Sequence, residues 1–585
     1  MRAWEQVQEA PRLPAEAPHR AGCGPGPGQP AKPRSRMGRW RTAVLLGVHL
    51  AIAARIVHWK LSGRTLTPLE PSEAGLLASE GLLTAGFLFF VLLILSTLVL
   101  GRWFCGWGCH VVALQDASLW LLTRLGIRPR PLRARLLLLV PFLGAFELFF
   151  APLLRRWISG EDFPALRAHL LTEDFWQRFP GPAVALLTFF VAGFACVYLL
   201  GAKGFCTYAC PYGALFGVAD KLAPGRIRVD SSCEGCGHCT AVCTSNVRVH
   251  EEVRRFGMVV DSGCMKCLDC VSACPKGALS FGFGPRRVPG KEAPRAAALR
   301  RRFDLGWGEE LLSALLFLVG LYAFRNLYGA VPFLLALALA VLAALAGLLL
   351  TRLVRRAEFA FQHHALKAAG RPTARGFACG AVALLYLSFS GHSALLQWHA
   401  REGQSALLSA AAETGAARAA AIERADLSLR RAEGLALLPL PDLDHQLGAI
   451  ALERREDEEA LGRFTAAQRA NPQSLPILEQ LATVQLRLER SSDLCRTLAR
   501  TLALLEVRDP AAARERARLL LPRAVELVQG SPGDPAPVLL LCWIQALLGD
   551  PATARDNAAK HRQGDPDWLA LERRLRAAAP TGTER

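Results

Sequence analysis

The chain reads as a mainly α protein: a polytopic helical membrane domain, a small α+β domain inserted into it, and a helical-repeat domain at the C-terminus. Three observations predict this. Apolar stretches long enough to span a bilayer recur along 585 residues that are 52% hydrophobic. Eight of the seventeen cysteines crowd between Cys233 and Cys274. Beyond residue 400 the composition turns to Ala, Leu and Arg with a helical period.

Residues 1–36 are rich in Pro, Gly, Arg and Ala without periodicity, which predicts a disordered tail. Cys23 within it reads as incidental, and Met37 is a candidate start. Spans are expected at 40–58, 82–100, 136–153 and 181–200, making a membrane domain over 37–224. Three more, at 309–327, 331–350 and 377–397, fill 305–397. Ser388, Ser390 and His392 interrupt the last, whose alternative is a buried or interfacial helix. The first is no signal peptide, because Arg55 and Trp59 stand where small residues would mark cleavage.

Charge sets the orientation. Arg34, Arg36, Arg39 and Arg41 precede the first span, and loops 101–135 and 351–376 each carry six basic residues against one acid. The alternate loops are balanced or acidic, so loop 201–308 is expected on the cytoplasmic side of a bacterial inner membrane. The net charge of +19 then reflects topology and contact with anionic lipid, not nucleic-acid binding.

The crowded cysteines form two copies of one pattern. Cys233, Cys236, Cys239 and Cys243 are spaced by two, two and three residues, and Cys264, Cys267, Cys270 and Cys274 repeat those gaps, with Pro275 following. That is the bacterial run which holds cubane iron–sulfur clusters. A zinc ribbon usually shows two separated C-x2-C pairs instead. In two-cluster ferredoxins the fourth cysteine of each run ligates the other cluster. One [4Fe-4S] cluster should therefore use Cys233, Cys236, Cys239 and Cys274, and the other Cys264, Cys267, Cys270 and Cys243. Thr244 replaces the proline expected after the first run. Short strands are expected at 227–229, 258–260 and 278–281 in a double ferredoxin domain over 225–285. Lys266 and turn N–H groups would favour the reduced clusters.

A second motif type occurs twice. Phe104-Cys105 to Cys109-His110 and Phe205-Cys206 to Cys210-Pro211 each follow a Leu-Gly pair at the cytoplasmic end of a span. This is an internal repeat of about a hundred residues. With i, i+4 spacing each pair is expected on one helical face, so four thiols can converge. They would bind a further metal or cluster, form thiol–disulfide pairs, or pack as small buried residues. The C-x3-C-H spacing does not suit covalent haem. His49, His58 and His392 are candidate haem or quinol contacts, and Glu147 a candidate proton carrier, because polar groups within spans are functional hypotheses.

Together these motifs resemble the NapH-type membrane polyferredoxin family over roughly residues 80–285. That family takes in the membrane iron–sulfur subunit of periplasmic nitrate reductase systems, the iron–sulfur half of the nitrous-oxide-reductase regulator and a cytochrome oxidase accessory protein. Its CxxxC motifs carry a following proline: Cys206 and Cys210 with Pro211 match, whereas His110 replaces it after Cys105 and Cys109. The resemblance implies electron transfer between a quinone pool or cytoplasmic donor and a partner redox protein. It is compatible with a quinol dehydrogenase-type or metal-reducing subunit.

From Leu447 the chain follows a tetratricopeptide pattern through Gly448, Ala451, Ala460, Phe464, Ala467 and Pro472, with a weaker echo 34 residues on at Leu481, Ala482, Leu494 and Leu498. Degenerate TPR-like units are expected over 435–580, outside the cytoplasm if the seventh span is real, binding protein or peptide. Cys495 and Cys542 read as core. A rival function is an assembly or regulatory factor that uses its redox centres on a metal while this domain holds a client.

Overall fold

The computed structural model describes residues 35–173, 181–284, 303–531, 533–559 and 565–577. The expected tail lies outside the described residues but for 35 and 36, and Cys23 lies outside them altogether. The fold divides into two compact units: one runs to Asn326 and resumes over Ala330–Ala394, and the other comprises Leu327–Gly329 and the chain from Leu395 onward.

Among the described residues, five helices are long and apolar enough to cross a membrane: Met37–Ser62, Pro182–Leu200, Trp307–Phe324, Phe333–Arg355 and Ala374–Ala412. Phe333–Arg355 is the hub, with almost every side chain from Leu335 to Leu349 buried. Its alanines let neighbours approach closely: a Cβ on Gly320 would stand 3.0 Å from the Ala340 Cα. The Ser388, Ser390 and His392 interruption does not break the last helix, because the Ser390 hydroxyl donates back to the Tyr386 carbonyl at 2.8 Å.

Two expected spans need correction. The second begins only at Ala85, since Leu82–Thr84 is a strand paired in parallel with Arg167–His169. Thr84 caps the helix by accepting from the Phe87 N–H at 3.1 Å. The 16 residues that remain rise about 24 Å, short of a hydrocarbon core of about 30 Å. The third is not continuous. Val140–Phe149 and Ala151–Ser159 meet at a 50° bend. Pro152 supplies the cause, because it cannot donate the helical bond and its ring crowds the preceding turn.

A carboxylate from another helix starts this third segment. Glu310, fully buried, accepts from the Arg135 N–H at 2.8 Å and the Leu136 N–H at 3.0 Å, groups that a helix N-terminus leaves unpaired. Glu310→Ala should lower stability by about 1–2 kcal/mol, read as a lower unfolding midpoint in detergent.

The inserted domain is built on Arg226–Val229 paired antiparallel with Leu279–Gly282. The strand expected at 258–260 is reduced to one bridge, Arg228 to Met258. The preceding helix Val249–Phe256 ends at the left-handed Gly257, which leaves little extended chain before the second cysteine run.

The second unit stacks antiparallel helices. Pro441–Glu453 and Asp457–Ala470 are followed by Leu475–Arg487 and Ser491–Arg508, and each helix starts 34 residues after its counterpart (441 to 475, 457 to 491). Phe464 is fully buried, and a Cβ on Gly448 would meet its ring at 2.9 Å. Cys495 and Cys542 are buried in the core of the later helices.

Candidate iron–sulfur and thiol sites

The two ferredoxin runs fold into matching loops. Gly235 and Gly237 take positive φ in the first, and Lys266 and Leu268 take it at the equivalent places in the second, at φ 49° and 62°. A side chain pays for that conformation, and Lys266 is held in it by an ion pair with Asp220 at 2.8 Å. One pocket is lined by Cys233, Cys236, Cys239 and also Cys274, with His238 and His250 on its wall. Cys243 is not among its lining residues; it interacts electrostatically with Cys264. Cys270 interacts with Cys264, Cys243 and Cys239, and Cys267 with Cys243. Four thiols thus line one pocket, and the other four lie close enough to influence one another. Burial pushes the free Cys243 thiol up to about 12, so loading iron must displace protons from it. Cys236 is exposed whereas Cys264 and Cys270 are buried, so one set faces solvent and the other is enclosed.

The CxxxC motifs share one architecture. A long helix ends at a positive-φ glycine (Gly101 or Gly201), and a five-residue helix follows, Trp103–Trp107 or Gly204–Tyr208. The second cysteine then caps a further helix, His110–Arg124 or Pro211–Leu222. The expectation of one helical face per pair is therefore corrected: the helix breaks between the cysteines, at Gly108 and Ala209. The thiols nonetheless converge. Cys105 and Cys206 are buried in one apolar cluster with Cys109 against it, and Cys210 senses the charge of the other three. The Gln115 amide donates to the Cys206 sulfur at 2.9 Å. All four are free thiols. Among the described residues no three Cys, His, Asp or Glu side chains stand close enough to hold one metal ion; a cubane takes its sulfurs from four spread corners.

The second ferredoxin loop sits directly on the first CxxxC motif. The Trp107 indole donates to the Lys266 carbonyl at 3.0 Å, and a Cβ on Gly106 would lie 2.3 Å from the Met265 carbonyl oxygen. Buried charges frame this joint, and sequence reasoning missed them. Arg41 pairs with Asp116 and Asp269, and Lys203 pairs with Asp116. Asp220 takes Lys266, Arg226 at 3.4 Å and the Arg102 N–H at 3.0 Å. One signal was available: Arg102 and Lys203 each stand three residues ahead of the first cysteine of a motif.

The other candidates lie elsewhere. The His49 ring bonds its own helix at the Leu45 carbonyl, and His58 is exposed beside Ser62. His392 Nε2 is buried without a hydrogen-bond partner. Glu147 is tied up by Arg155 and by Arg325.

Comparison with known proteins matches these same regions. A 4Fe-4S dicluster domain family covers residues 232–279, and a 4Fe-4S binding domain family matches twice, at 82–128 and 182–230, once for each CxxxC motif. YccM of Escherichia coli is 29% identical over 268 residues, 40% of this chain and 72% of its own length. The ferredoxin-type protein NapH of Haemophilus influenzae is 28% identical over 202 residues, 32% of this chain and 66% of its own. The methylamine utilization ferredoxin-type protein MauN of Methylobacillus flagellatus is 26% identical over 200 residues, 32% of this chain and 67% of its own. No solved structure matches the chain at a significant level. Through its two motif-bearing repeats and its dicluster domain, the chain is similar to the NapH-like ferredoxin-type proteins.

Proposed function

We propose that the protein is a multi-pass inner-membrane electron carrier that moves electrons between a quinone pool or cytoplasmic donor and a partner redox protein. Cys233, Cys236, Cys239 and Cys274 hold one [4Fe-4S] cluster; Cys243, Cys264, Cys267 and Cys270 hold the other. The observation that carries this reading is the seating of the 264–270 loop on Gly106 and Trp107, which sets the enclosed thiols against the motif at the end of a membrane helix. The exposed set is then free to meet a soluble partner. The ferredoxin domain lies in the cytoplasm, following the charge pattern of the loops.

The chain's own residues shape this chemistry. Turn N–H groups and buried cations stabilise the extra negative charge of a reduced cluster, and apolar walls keep water from the enclosed set. A bound cluster supplies one-electron transfer.

Iron and acid-labile sulfide on anaerobically purified protein test the reading. About eight irons per chain fit two cubanes, and about twelve place a third on Cys105, Cys109, Cys206 and Cys210. Zinc in place of iron sinks it.

The helix pairs repeating at 34 residues support a second reading. TPR-like units outside the cytoplasm hold a client protein whose metal the redox centres reduce during assembly. A client-assembly defect with quinol turnover intact would favour it.

A further inference from the structure

Arg102 and Lys203 occupy the same place in the two repeats, and both are buried, at 7% and 1% exposure. Each meets a carboxylate from the helix that follows the other motif: the backbone N–H of Arg102 donates to Asp220, and the Lys203 ammonium pairs with Asp116. There the likeness ends. The Lys203 ammonium stays among Asp116 and the Val112 carbonyl. The Arg102 guanidinium instead faces two sites at once. Its Nη1 donates to the Ser262 carbonyl at 2.9 Å, two residues before Cys264, and its Nη2 lies 3.9 Å from the Cys105 sulfur. Its buried Nε–H has no hydrogen-bond partner among the described residues.

We propose that Arg102 is the positioning residue that couples the enclosed ferredoxin cluster to the CxxxC thiols. The planar fork fixes the separation of the two sites, as only guanidinium geometry can. Its fixed positive charge lies beside the CxxxC thiols and on the backbone two residues ahead of the second ferredoxin run, where it stabilises added negative charge. This inference rests on the cluster assignment above, and it adds an order: solvent-facing cluster, enclosed cluster, and then a third cluster that the four CxxxC thiols would hold, the group that would accept the electron there.

The test is an EPR-monitored redox titration of the full-length protein, with the two signals assigned by single-cluster cysteine variants. In Arg102→Gln the enclosed cluster should become harder to reduce while the solvent-facing cluster keeps its potential. In Arg102→Lys the charge remains but the fork is lost. Both potentials should then stay near wild type, while cluster bleaching by menadiol in proteoliposomes slows about tenfold, as loss of an outer-shell partner typically does. If Arg102→Gln does not assemble, Arg102→Lys alone decides. Wild-type potentials and bleaching rates in the variants overturn the proposal. A wild-type protein without clusters overturns the functional reading instead. Wild-type clusters that menadiol cannot bleach remove only the quinone route and leave the potentials to decide.

Discussion

Cys274→Ser will abolish the cluster of the first cysteine run although Cys274 belongs to the second. The cavity that holds Cys233, Cys236 and Cys239 is closed by Cys274. A serine hydroxyl is a poor ligand for cluster iron, so the loss should be about four irons per chain, half the ferredoxin complement. The EPR signal that disappears should be the one that Cys236→Ser also removes. Cys243→Ser should remove the other signal, along with Cys264→Ser, since the Cys243 thiol lies within electrostatic reach of Cys264. If Cys274→Ser and Cys264→Ser silence the same signal, the crossed assignment is wrong and each run closes on itself.

What the sequence made legible follows from how each feature is encoded. Cluster loops are written in spacing, so the eight cysteines could be read in order. The repeat of the CxxxC motif was legible for the same reason, and the family matches fall on both copies. Long apolar helices such as Phe333–Arg355 announce themselves by composition. Geometry that depends on a partner does not. Hydropathy cannot distinguish Leu82–Thr84 as a strand from one more turn of helix, because its ladder with Arg167–His169 spans more than eighty residues. The break between the paired cysteines arises where Gly108 and Ala209 end short helices, which i, i+4 spacing alone does not reveal. Most of all, counting charge by loop gives no sign that Arg102, Lys203 and Lys266 are buried. Lys203 and Lys266 each pair with a carboxylate from a different segment, and the Arg102 guanidinium reaches the Ser262 carbonyl.

Asp220→Ala should have the largest effect on stability of any single change at this joint. Asp220 is fully buried and meets Lys266 at 2.8 Å, Arg226 at 3.4 Å and the Arg102 N–H at 3.0 Å. Removing it leaves Lys266 a buried cation without its counter-charge, a change that costs about 3–5 kcal/mol. Arg226 suffers less, since it also donates to the Asp220 and Val259 carbonyls. The loss reaches function through the backbone. Lys266 holds positive φ between Cys264 and Cys267, and without its anchor that loop should relax off Gly106. Limited proteolysis near residues 222–226 should accelerate and the unfolding midpoint should fall, with Asp220→Asn intermediate because it keeps an acceptor for Arg102. A double change, Asp220→Leu with Lys266→Met, separates charge from architecture. Exchanging both buried partners for apolar groups is often neutral, so the double variant should melt above Asp220→Ala. A double variant that melts no higher would mean the carboxylate acts mainly through the Arg102 N–H, and the ion pair is incidental.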